Sequence, residues 1–348
     1  MMAKNRKMGN VTAPQDAIVT TSRHKNLDFI RGMMVLWVVI SHIALNVGVR
    51  TFGVSHSASS IWAWMSFYMS TFFFFSGYLH NRLRSPNQIA RRGLRTLLVP
   101  YLLFSVFGFF LYEVSHLATS GEGFDWGIFK GFTPTLCLRS NTPLWFLISL
   151  FFVKVLYSFF EQCLGERTYV LTVIMAVAAI LTCNKPQFFG YGNIMLGFSY
   201  YGAGAFLQIH ESAMNRTWIA FLALLIYCTI PFFCPLGLVV VTNFKPTGKP
   251  LFDIIFSLSA CYLLWFGSKH FSFSTRISRY LIFIGANSLI LFAYHRPVLN
   301  YVIDPICLCF HMRTSFRFLF SFMVLLVGFH FLLFLKTRVL LFCSSKGV

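Results

Sequence analysis

With 348 residues, 57% of them hydrophobic, 11% charged and 43 of them Phe, the chain departs from soluble domains, where about a quarter of residues are charged. It reads as all-α: a polytopic transmembrane helical bundle with no stretch long enough for a second, soluble domain. The formal net charge of +19 reflects membrane orientation and anionic headgroups before it reflects nucleic acid, and no RNA- or DNA-binding motif accompanies it.

Residues 1–26 are polar and basic, with Lys4, Arg6, Lys7, Arg23 and Lys25. No small-residue cleavage site follows the first apolar run, so this tail is expected to precede an uncleaved signal anchor. Ten apolar stretches of roughly spanning length follow, at 27–48, 59–80, 94–117, 144–163, 168–184, 190–210, 217–237, 250–269, 279–299 and 316–336. Together they make 27–338 a transmembrane domain, with 339–348 as a C-terminal tail. If the N-terminus is cytoplasmic, eighteen of the 29 Lys and Arg fall inside and eight outside. That excess predicts N-in, C-in topology. The sequons at Asn10 and Asn215 then lie on the inner side, and the largest outer loop is 118–143.

The first span, LDFIRGMMVLWVVISH from Leu27 to His42, carries Asp28, Arg31 and His42. Arg31 and His42 are eleven residues apart, about 16 Å of rise and about 20° of rotation on a helix. They therefore share a face. An Arg within a hydrocarbon-length segment is costly unless paired or wet and is a candidate functional group. A neutral imidazole is the usual general base for a hydroxyl. The plainer alternative is a snorkelling Asp28–Arg31 ion pair with a packed His42.

Further along, the Phe-rich second span ends at Ser76-Gly77-Tyr78, and a basic loop follows. There Arg91 and Arg95, at i and i+4, could bind a phosphorylated ligand; simple positive-inside topology would also explain them. Trp145, in Pro143-Leu144-Trp145-Phe146-Leu147, suits a membrane interface. Lys154, deeper in that span, must snorkel, pair or face water. In GANSLILFAYHRP, residues 285–297, Asn287 and Ser288 precede Tyr294, His295 and Arg296. His295 and His42 are predicted at similar depth, which suggests a reaction chamber rather than two packing residues. The nine Cys are scattered. Cys307 and Cys309 are too close for easy disulfide geometry and lack partners for zinc, so no metal is expected.

In order, LDxxRG, the Arg with ten residues before His, FFFFSGY, RxxxR followed by Pro-Tyr, PLWFL and GANSLILFAYHRP resemble acyltransferase family 3. These are membrane O-acyltransferases that decorate bacterial cell-surface glycans. The resemblance runs from about residue 27 to 300 and covers most of the chain. It implies a ten-helix core in the bacterial cytoplasmic membrane and essential roles for Arg31 and His42. It implies an acyl-CoA co-substrate, commonly acetyl-CoA, held by Arg91 and Arg95, with no permanently bound cofactor. The acceptor would be a glycan or lipid-linked saccharide, as in lipopolysaccharide, capsule or exopolysaccharide. Ser76, Trp145, Asn287, Ser288, Tyr294 and His295 are candidate substrate or oxyanion contacts. Family members often carry a further embedded carboxylate, but Glu113, Glu161 and Asp253 all lie near predicted span ends, so none is assigned. Some members also carry an appended extracellular esterase-like domain, which is not expected here. The competing reading is a transporter or flippase for an anionic or lipid-linked glycan, which would also need intramembrane Arg and His.

Overall fold

The computed structural model describes residues 15–47, 64–121, 123–131, 136–183, 185, 188–233 and 250–345. The basic residues Lys4, Arg6 and Lys7, the sequon at Asn10, and Arg50, Glu122, Pro134, Cys234, Pro235, Lys245 and Lys249 lie outside them. So do the side chains of 339–348.

The described residues are mainly helical, with no strand among them. The principal helices are α1 (Gln15–Asn46), α2 (Tyr68–Tyr78), α3 (Pro86–Gly93), α4 (Val99–Ser120), α5 (Trp145–Leu164), α6 (Thr168–Thr182) and α7 (Tyr191–Ile209). They continue with α8 (Thr217–Phe233), α9 (Pro250–His270), α10 (Arg276–Ala286), α11 (Ser288–Val298), α12 (Asp304–Cys309) and α13 (Thr314–Ser345).

Among the described residues, five helical stretches are long and apolar enough to cross a membrane. They become six if α10 and the Ser288–Cys309 helix, bent by 77°, count as one broken span. The difference from ten has local causes. Arg139–Thr182 counts once but contains both α5 and α6, which meet at Gly165 with φ +56°. The stretch preceding α2 lies partly outside the described residues, and α8 is a shorter apolar helix. Several apolar helices in one chain make this a multi-pass membrane protein.

Helix α1 is the hub, touching α2, α9, α10, α11 and α13. Two glycine pairs set the closest crossings. A Cβ on Gly32 would lie 2.0 Å from the Leu281 carbonyl oxygen, and one on Gly285 would lie 1.7 Å from that of Asp28. Backbone therefore meets backbone where α1 crosses α10. Gly77 and Gly204 do the same for α2 and α7, with Cβ distances of 1.9 Å to the carbonyl oxygens of Tyr201 and Phe74. Small residues permit such approach between helices in lipid, where packing rather than water exclusion drives association. The glycines of the RG and SGY motifs are thus crossing points.

Phe73, Phe74 and Phe75 on α2 are buried. Phe72 and Phe73 pack against Phe146, and Phe146 against Phe292, with ring centroids 5.0–5.6 Å apart. This aromatic layer links α2, α5 and α11, one turn below His295.

Candidate active site

His42 on α1 and His295 on α11 meet. Their ring centroids are 5.0 Å apart with planes at 57°, and His295 Nε2 lies 3.3 Å from His42 Nδ1. His295 is fully buried, while His42 is half-buried. The Nδ1 of His295 faces two backbone carbonyls, Phe292 at 2.7 Å and Leu291 at 3.2 Å. A carbonyl only accepts, so this nitrogen carries the proton. In the neutral ring Nε2 is then an acceptor, and His42 donates its Nδ1–H to it. That leaves the lone pair of His42 on Nε2, the state a general base requires.

The local sequence fixes this helix. Pro297 has no N–H to offer the carbonyl four residues back, which is that of Ala293. Asn141 supplies the missing donor, its Nδ2 reaching Ala293 at 2.9 Å and the Phe104 carbonyl at 3.2 Å. Asn141 is buried and so ties α11 to α4 two residues before His295.

One turn beyond His42, away from Arg31, Asn46 organises a polar cluster. Its Nδ2 donates to Asn300 at 2.8 Å and to Asp304 at 2.6 Å. Its Oδ1 accepts from Arg296 Nη1 at 2.9 Å. Arg317 reaches Asp304 at 3.6 Å.

At the other end, Arg31 Nη1 donates to Asp28 at 3.1 Å, and both side chains keep some exposure, 28% and 20%. Lys154 on α5 lies within electrostatic reach of Arg31, Arg84 and Arg92. Four cations therefore cluster here. Arg91 and Arg95 are exposed and make no hydrogen bond or ion pair with the described residues. A π-turn spans Leu94–Leu98, with Arg95 near its start. Between the two ends, Val35 and Val38 share the Arg31–His42 face and are 0% and 1% exposed. That face is packed with apolar side chains.

The remaining sequence candidates lie elsewhere. Tyr294 donates its hydroxyl to the Leu325 carbonyl on α13. Asn287 stands at the α10–α11 bend and donates to the Phe283 carbonyl at 3.1 Å. Ser288 begins α11, seven residues and about 10 Å of helix rise before His295. Ser76 is half-buried near the end of α2. Trp145 is buried against Phe73, with ring centroids at 6.3 Å. The structure thus brings together His42 and His295 and places Arg31 near Lys154, while among the described residues no side-chain hydrogen bond or ring contact joins these five to the imidazoles.

Asp304 is the carboxylate of this polar cluster, joined to His42's helix through Asn46, and sequence reasoning passed over it, as it did Asn46, Asn141 and Asn300. The clue was an Asp-Pro directly after an apolar run. Of the carboxylates considered, Glu161 is paired with His80 and Arg82, Asp253 is buried in α9, and Glu113 is half-buried on α4.

No curated protein matches the chain. A family model described as an acyltransferase domain matches residues 24–335, nearly the whole length and every site residue just described. The chain therefore belongs to acyltransferase family 3, the membrane acyltransferases.

Proposed function

We propose that this protein transfers an acyl group, acetyl in the simplest case, from acyl-CoA to a sugar hydroxyl of a cell-surface glycan in the bacterial cytoplasmic membrane. The observation that carries the reading is the His42–His295 contact, because the two carbonyls behind His295 leave His42 with a basic Nε2. His42 Nε2 takes the proton of the acceptor hydroxyl as that oxygen attacks the thioester carbonyl. The tetrahedral intermediate collapses, the carbon–sulfur bond breaks, and the proton held by His42 passes to the departing thiolate. The imidazolium formed in between donates its Nδ1–H to His295, which stabilises it.

The donor's phosphates would meet the cations at the Arg31 end. Arg31, Arg84, Arg92 and Lys154 converge there, and Arg91 and Arg95 lie on the same basic segment with their donors free for a ligand. The pantetheine arm follows the Arg31–His42 face, whose length of about 16 Å suits it. Val35 and Val38 fill that face, so donor entry has to displace them.

The test uses membranes containing the protein, labelled acetyl-CoA and the cell's own glycan acceptor. His42→Ala should lower label transfer about 10²–10⁴-fold, the usual weight of a general base. Wild-type transfer by folded His42→Ala protein would refute the assignment.

A further inference from the structure

We propose that Arg296 reads a negative charge on the acceptor, so that the sugar acylated at His42 carries a carboxylate or a phosphate. The proposal rests on the acyl-transfer reading and adds the acceptor's chemical class to it.

Arg296 is half-buried in an apolar bundle, and its one hydrogen bond among the described residues is Nη1–H to Asn46 Oδ1, at 2.9 Å. That acceptor is neutral. The Nε–H and Nη2–H edge, the fork that grips carboxylate and phosphate with two parallel hydrogen bonds, has no protein partner there. Asp304 lies within electrostatic reach of Arg296, but its Oδ2 takes the Asn46 amide and its Oδ1 faces Arg317. Among the described residues two guanidiniums therefore share one carboxylate, and one positive charge is left over. An uncompensated cation at membrane depth is costly and marks a ligand-facing position.

Asn46 makes the arrangement rigid. Its amide is held by both Asn300 and Asp304, which fixes its oxygen toward Arg296 and aims the guanidinium in turn. Position also fits. Asn46 is one helical turn from His42, about 6 Å of rise, and Arg296 lies within electrostatic reach of the His42 ring. One pyranose can place a hydroxyl at His42 and an anionic substituent at Arg296. The fork thus sits on the side of the imidazoles opposite the Arg31 cations, so donor and acceptor charges are held at separate ends.

The test measures binding of three probes to the full chain in nanodiscs of zwitterionic lipid. They are 4-nitrophenyl β-D-glucuronide, 4-nitrophenyl β-D-glucoside and glucose 6-phosphate. The glucuronide should bind about ten-fold or more tighter than the glucoside, as a charge-assisted pair predicts. Glucose 6-phosphate reports whether a phosphate serves as well as a carboxylate. The preference for the anionic probes should vanish in Arg296→Gln and weaken in Arg296→Lys, which keeps the charge without the fork. Thermal unfolding checks that each variant is folded, and the wild-type comparison stands without them. Equal binding of the three probes, no binding of any, or a preference that survives in folded Arg296→Gln would overturn the proposal. Acetyl-CoA binding and turnover are measured separately. Their absence beside an Arg296-dependent anion preference would refute acyl transfer and leave the anion site standing.

Discussion

Two histidine networks among the described residues are built on different terms. His80, at the end of α2, has both ring nitrogens engaged. Its Nε2–H donates to Glu161 at 2.7 Å, and its Nδ1 meets the Tyr201 hydroxyl at 2.8 Å. Arg82 closes the other side of Glu161 at 2.9 Å. The His80 side chain is 1% exposed. The His42 network differs at the point that counts for chemistry. His295 is sealed and satisfied, but His42 spends only Nδ1 on the described residues and keeps Nε2 open to them. Arg296 beside it spends only Nη1 on the described residues. Two imidazoles in one bundle, one buried and one half-buried, thus carry opposite expectations: a closed network stabilises, and an open one can react.

The comparison breaks most visibly at Glu161. Removing the Glu161 carboxylate leaves the buried Nε2–H of His80 without its charged acceptor, and a hydrogen bond to a charged group is worth about 1.5–3 kcal/mol. Glu161→Ala should therefore lower the unfolding temperature sharply in nanodiscs, while label transfer per folded molecule stays near wild type. A variant that keeps its stability and loses transfer would make the His80 network catalytic after all.

His295 should give a smaller effect of the other kind. As a partner that orients a reacting imidazole, its loss is expected to cost about 10–100-fold in turnover, the range seen for groups that orient metal-bound imidazoles. His295→Ala should show that loss in turnover more than in KM. His295→Gln offers a carbonyl to His42 Nδ1–H and should recover most of it. Equal activity of the two variants would argue that His295 only packs.

Tyr294 adjoins His295 in sequence yet points to α13. Tyr294→Phe should cost about 0.5–1.5 kcal/mol of stability, one hydrogen bond, with turnover unchanged. A large drop in turnover would return Tyr294 to the reacting centre.

The smallest effect belongs to Asp125, in the segment between α4 and α5. The Tyr112 hydroxyl and then the Gly127 N–H donate to it, and they hold its carboxyl below the ordinary value of 3.8. A depressed carboxyl stabilises fully above its unfolded value, and that contribution is lost as pH falls through the lower folded value. Proteolysis of this segment should be flat from about pH 8 to 5 and rise only below about 4. A rise near pH 6 would point to a histidine instead.

Much of this was legible in the sequence because helical geometry is regular. The eleven-residue spacing predicted a shared face for Arg31 and His42, and counting along two spans placed His42 and His295 at one depth. The polar cluster was not legible, because its register depends on irregular backbone. Pro297, the π-turn over Leu299–Ile303 and Pro305 carry the chain past the expected end of the span at 299 and bring Asp304 back to Asn46. Periodicity cannot follow a helix through an inserted residue. The glycine crossings were also silent, since Gly32 and Gly285 acquire meaning only when two helices far apart in sequence are seen to touch. Nor does any spacing rule tell a closed histidine such as His80 from an open one such as His42, because partner count is a tertiary property.

The most direct measurement sets the two histidines side by side. His42→Gln and His80→Gln are placed in the same membranes, and label transfer from acetyl-CoA is normalised to folded protein while unfolding temperature is followed in parallel. The account predicts that His42→Gln keeps its unfolding temperature and loses transfer, and that His80→Gln unfolds earlier but transfers at close to the wild-type rate per folded molecule. Undiminished transfer by folded His42→Gln would contradict it.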